Sequence, residues 1–113
     1  MWWIWISPTF IKLFTPNQIA GITIFPFIIL ESNQQKQDKT FINHELIHIY
    51  QQMELFVIPF ILLYYIEFFL RFIQYKDAQT AYRNISFEKE AYANETNYNY
   101  LKTRKWCSFV KYW

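Results

Sequence analysis

A mainly helical α+β fold is the expectation for this chain. Three observations lead to it: one short β-rich segment at Gly21–Leu30, three later stretches with helical start signals and patterning, and a length of 113 residues, which suits a single domain over 1–113. The composition, 53% hydrophobic and 23% aromatic against 18% charged, excludes a disordered chain and leaves more apolar surface than so small a globule easily hides.

Each element has its own reason. Met1–Ile6 is apolar and Trp-rich but lacks the positive start, longer apolar core and small-residue cleavage site of a secretory signal; it reads as a short strand, a core-covering segment or an interfacial anchor. Gly21–Leu30, GITIFPFIIL, is rich in β-branched and aromatic residues and reads as a strand. Pro26 has no amide hydrogen, so that strand is an edge, a bulge or two short pieces, and the fold should begin with a short edge strand or hairpin. The polar run ESNQQKQDK is a loop by composition.

A helix should follow from Asp38 or Thr40, either of which can cap exposed amides, carrying Phe41, His44, Leu46, His48 and Gln52 toward Leu55. Pro59 ends or kinks it, and suits the first turn of a second helix over about Pro59–Tyr75. That helix is apolar nearly all round, with Glu67 and Arg71 spaced for an intrahelical ion pair. After a polar break at Lys76–Asn84, a third helix should open at Asn84 or Ser86 and run through Glu88, Ala91, Glu95 and Tyr98 to about Thr103. Acids near its start and Lys102, Arg104 and Lys105 near its end suit the helix dipole. The tail Trp106–Trp113 is aromatic and basic, with no pattern that assigns a structure.

Charge and cysteine usage exclude whole classes of function. Lys and Arg are scattered and the net charge is only +2, so the chain lacks the basic stripe with which a nucleic-acid binder neutralises phosphates. Cys107 stands alone, which rules out an internal disulfide and a thiolate zinc cluster and is compatible with a reducing, cytoplasmic setting; any metal must use His and carboxylates. Leu55–Ile66, LFVIPFILLYYI, is uncharged, but Glu67 and Arg71 interrupt it before the roughly 18 to 20 residues needed to span a bilayer, so a clean transmembrane helix is not expected. The aromatic segments are instead candidates for peripheral membrane contact or for a protein partner.

Asn43-His44-Glu45-Leu46-Ile47-His48 contains an HExxH motif. Two imidazoles four residues apart share one helical face and can chelate a single ion, with Glu45 beside them. Neutral imidazole binds Zn²⁺ well, and a carboxylate beside the metal can take a proton from the water that the metal activates. The chain has only two histidines, and chance would place both four apart with a glutamate after the first about once in a thousand arrangements.

Catalytic zinc ordinarily has a third protein ligand and an open position. The segment Asn84–Glu95, NISFEKEAYANE, supplies candidates: Glu88, Ala91 or Tyr92, and Glu95 share a helical stripe, whereas Glu90 points elsewhere. The plainer reading is that these acids only favour a helix N-terminus. Gln51 and Gln52 follow His48 by about one turn and read as helix surface or packing, or as residues beside the ligands.

With both motifs in view, Thr40–Gln52 and Ser86–Glu95 resemble the gluzincin-type zincin metallopeptidases, in which HExxH on one helix is completed by a glutamate from a later helix packed against it. Glu88-Lys89-Glu90-Ala91-Tyr92 is similar to the second-helix pattern, with Glu88 in the ligand place and Tyr92 where an aspartate often stands. Most of the chain also resembles small bacterial HExxH proteins of unassigned function. The resemblance implies a zincin-like fold holding Zn²⁺ through His44, His48 and Glu88, with Glu45 as general base in a metallopeptidase-like hydrolysis of a peptide or protein substrate. Glu95, Asn43 or a backbone carbonyl would orient an imidazole, and Tyr82, Arg83 and Tyr92 are candidates for stabilising the oxyanion. The Gly21–Leu30 edge would pair with an extended substrate. The alternative is a non-catalytic protein, membrane-peripheral or interacting with a partner, that keeps zinc to stabilise its fold.

Overall fold

The structure, a computed structural model, describes residues 3–14 and 20–113; Met1 and Trp2 of the apolar N-terminal segment lie outside them. It is mainly helical with one small sheet, the α+β architecture expected. Gly21–Leu30 is two short pieces: β2 (Gly21–Ile24) and β3 (Phe27–Leu30) form an antiparallel hairpin with Phe25 and Pro26 in the turn, where the missing amide of Pro26 breaks no ladder. The N-terminal segment contributes β1 (Trp3–Ile6), which pairs in parallel with β3, reached through the short helix α1 (Pro8–Phe14). The strand order β1-β3-β2 leaves β2 an edge and buries Ile28, Ile29 and Leu30 on the central strand.

The polar run after the sheet holds a helical turn and a half, α2 (Asn33–Gln37), where a loop was expected. The helix α3 (Lys39–Leu55) then starts as its cap dictates, the Asp38 carboxylate accepting from the Phe41 amide at 3.2 Å. It stops at Phe56, which takes a left-handed φ of 63°, and α4 (Val57–Tyr75) begins two residues earlier than expected, with Pro59 inside its first turn.

Two corrections concern the stretch after α4. Lys76–Asn84 is not an irregular break but contains α5 (Ala78–Arg83), capped by the Asp77 carboxylate on the Thr80 amide at 2.9 Å. The third long helix does not reach Thr103: α6 (Ser86–Asn94) ends nine residues earlier, a turn follows, and α7 (Tyr100–Thr103) is separate. The reason lies on α3, because Asn43 Nδ2 donates to the carbonyls of Asn94, Glu95 and Asn97 and so satisfies the end of α6 from outside. The other end of α6 is also capped from a distance, by Glu67 of α4, whose carboxylate accepts from the Ser86 amide at 2.6 Å and the Ser86 hydroxyl at 2.7 Å. The expected Glu67–Arg71 pair is present only as a longer contact of 3.8 Å. The aromatic tail closes as a 3-10 helix over Ser108–Tyr112.

α3 lies between two apolar clusters. On one side Ile28 and Leu30 of the sheet meet Ile49, with Phe41, Ile42 and Leu46 around them. On the other Phe60, Ile85 and Phe87 pack with Tyr64, Phe68 and Phe109. Gly21, the chain's one glycine, lets β2 lie against α3: a methyl group there would sit 2.9 Å from Leu30 and 3.0 Å from the ring of Phe41.

Candidate metal centre

The HExxH residues lie in the middle of α3, with His44 and His48 turned toward Glu88 of α6 and Glu45 toward Thr23 of β2, and His44, Glu45, His48 and Glu88 are all buried. The structure brings His44, His48 and Glu88 together, one ligand atom from each lying within 4.8 Å of the others. His44 Nε2 is 3.1 Å from Glu88 Oε1, His48 Nε2 is 3.3 Å from Glu88 Oε2, and the two Nε2 atoms are 3.2 Å apart. The HExxH spacing pointed to the two histidines and the resemblance to gluzincins to Glu88. Glu90 faces away from them, toward Gln51, Tyr100 and Arg104.

Outer contacts determine what those atoms can do. Gln51 Nε2 donates to the Phe87 carbonyl at 3.1 Å and to Glu90 Oε1 at 2.9 Å, which turns its Oε1 toward His48 Nδ1 at 2.8 Å. An amide oxygen can only accept, so Nδ1 of His48 carries the proton and, in the neutral ring, Nε2 carries the lone pair. Glu95 Oε1, 2.8 Å from His44 Nδ1, imposes the same tautomer on His44. Of the groups considered for orienting an imidazole, Glu95 is the one on His44, while the Tyr92 ring packs edge-on against His44 at 4.5 Å.

With both rings neutral, two imidazole lone pairs and a carboxylate converge, a donor set that can accept a cation at its centre. Zn²⁺ fits this donor set of two neutral imidazoles and one carboxylate, each supported from behind. A proton can take the same place. Burial alone would lower the pKa of His48, but the Glu88 charge and hydrogen bond, with Glu45 and Gln51, outweigh it and raise the value to about 9. Burial opposes ionisation of Glu88 as well, yet His48 and His44 hold it well below the usual carboxylate range.

Three residues of the site escaped the sequence reading. Tyr64 of α4 donates to Glu88 Oε2 at 2.6 Å, and Thr23 of the β2 edge donates to Glu45 Oε2 at 2.5 Å. Arg104 forms a bidentate pair with Glu54 at 2.6 and 3.0 Å and also binds Glu90, which anchors Gln51 and, through it, His48. Nothing in the local pattern marks these contacts, since Tyr64 lies in an apolar run and Thr23 in a strand. Gln51 and Gln52 are not helix surface: both are buried, and Gln52 accepts from the Phe25 amide at 2.6 Å and donates to the Thr23 carbonyl at 2.8 Å, fastening the sheet to α3.

A cleft of about 510 Å³ opens on the site from the side of His44 and Glu45. Phe41, Phe68, Tyr82 and Tyr92 supply much of its wall, and Gly21 places the β2 edge at its rim. The Tyr82 phenol, raised well above its usual pKa first by burial and then by the Glu88 charge, keeps its proton. Arg83 lies over the Tyr92 ring at 4.0 Å and does not line the cleft. Comparison with protein-family models, with curated proteins and with solved structures returned no match.

Proposed function

We propose that this protein is a zinc-dependent hydrolase of peptide bonds with a gluzincin-like site, in which His44, His48 and Glu88 hold the metal and Glu45 is the general base. The observation that carries the reading is the convergence of three ligand atoms on one point, with both imidazoles set to direct their Nε2 lone pairs there. Bound zinc would supply an activated water and polarise the carbonyl under attack. Glu45, next to His44 at the cleft and steadied by Thr23, would serve as general base toward the attacking water and would return the proton to the departing amine as the C–N bond breaks. Tyr82, protonated and on the cleft wall, is the donor best suited to the carbonyl oxygen as it gains charge. An extended substrate would enter along the β2 edge, beside Gly21.

The burial of all three ligands favours a second reading, a metal retained only for stability. Glu45 separates the two, because a structural site needs no base. Glu45→Gln should leave zinc content, measured by mass spectrometry, and the melting temperature unchanged while lowering cleavage of a mixed peptide library by about 10² to 10⁴-fold. Zinc-loaded wild type that cleaves no faster than Glu45→Gln would overturn the catalytic reading.

A further inference from the structure

The outer face of α4 plays no part in the site. The helix is 19 residues long with a mean hydropathy of 1.6, and only 11% of its most apolar stretch is buried. A core helix of a globular protein would show the reverse. Ile58, Leu62, Ile66, Phe69, Leu70 and Ile73 are all exposed along it. At about 100° per residue the exposed apolar positions cover roughly half of the circumference, over about 28 Å of length.

We propose that α4 lies in the plane of a lipid bilayer with this half of its surface submerged among the acyl chains.

Four observations favour lipid over a protein partner. Both charges of the helix are turned inward: Glu67 is buried on Ser86, and Arg71 lies under the Trp113 ring at 5.2 Å. The face is far wider than the seam of i, i+3, i+4 and i+7 positions that one docked helix or a two-fold copy would cover, and it has no charged rim along its length. Its apolar surface continues onto exposed Trp113, which shares a depression with Leu63 and Ile66, while Lys76 ends the helix and exposed Lys111 comes two positions before Trp113 in the chain. An indole and lysines at the border of an apolar face suit the headgroup layer and complement anionic lipid.

The in-plane orientation follows from what covers the other half. α3, α5 and α6 occupy it, and α5 and α6, at six and nine residues, are too short to cross with it. A crossing α4 would carry the polar residues of these elements, and its own buried Glu67–Ser86 cap, into hydrocarbon.

The test uses the full chain, diluted from mild detergent into vesicles of phosphatidylcholine with phosphatidylglycerol and floated on a density gradient. Wild type should float. The double substitution Ile66→Glu and Phe69→Glu should weaken binding at least tenfold with an unchanged melting temperature, because both side chains are exposed (55% and 66%). Leu13→Glu, equally exposed but on α1, should float like wild type. In a Cys107→Ser background, Phe56→Cys and Lys76→Cys, at the two ends of α4, should both react with an impermeant maleimide added outside sealed vesicles. Protection of one end would overturn the in-plane orientation. Wild type that stays with the soluble fraction, or a lipid-free dimer that the double substitution converts to monomer, would overturn the lipid assignment.

Discussion

Between α3 and α6 the protein buries Asn43, His44, Glu45, His48, Gln51, Glu88 and Glu90, whereas the outer face of α4 turns leucine, isoleucine and phenylalanine outward. The two regions reverse the usual distribution of polarity, and they are held by different physics. The buried seam survives because its polar groups are paired: among the described residues the one buried side-chain polar atom without a partner is Arg71 Nε, on α4 and outside the seam. Among the described residues the outer face is mostly exposed, so the residues that would ordinarily dominate stability should contribute little there, and the polar ones inside should contribute most.

Substitutions can break that contrast at its strongest point first. Arg104 joins Glu54 and Glu90 with its side chain only 2% exposed, so Arg104→Met strands two buried carboxylates. The expected cost is about 3 to 5 kcal/mol, read as a fall in melting temperature of more than about 10 °C. Gln51→Leu keeps the volume but frees His48 Nδ1, and zinc affinity measured by competition with a chromophoric chelator should fall about 10 to 100-fold.

Acidity tests the same seam without mutation. Zinc competes with the proton that His48 holds up to about pH 9, so zinc affinity should rise about tenfold per pH unit as pH climbs toward 9 and then level off. In the metal-free protein the sign reverses. His48 stabilises fully below its ordinary value of 6.5 and loses that contribution as pH rises through about 9; Glu88 contributes above its ordinary 4.5 and loses it as pH falls. Metal-free melting temperature should therefore peak between about pH 5 and 6.5, while zinc-loaded protein keeps gaining at higher pH. The smallest effect belongs to the outer face: Leu62→Ser, at a residue 58% exposed, should shift stability by no more than about 0.5 kcal/mol in lipid-free thermal melts.

How much of this was legible in the sequence depended on how far each cause lay from its effect. The start of α3 was readable because Asp38 caps an amide three residues away. His44 and His48 were readable because helical spacing puts them on one face, and Glu88 because the pattern of a known family singled it out. The end of α6 was not, since its cap, Asn43, is more than fifty positions earlier in the chain. For Gln51 helix surface, packing and a place beside the ligands all stayed open, because only the docked α6 supplies Phe87 and Glu90 as its acceptors. Counting charges along α4 suggested an interrupted apolar run, but periodicity turns Glu67 and Arg71 to the protein side and leaves the outside uninterrupted.

The cap that Asn43 places on α6 also bears on the order of assembly. It lies next to His44 in sequence, and its bonds to the end of α6 form in the same docking event that carries Glu88 across 44 positions of chain to His44. Until that loop closes, α3 offers two imidazoles without their carboxylate, and until Arg104 arrives Glu90 has no guanidinium to hold it on Gln51. A high-affinity site should therefore be a late product of folding, appearing cooperatively with the α3–α6 interface rather than templating it. In refolding experiments, zinc uptake should follow the burial of Phe87 and not precede it.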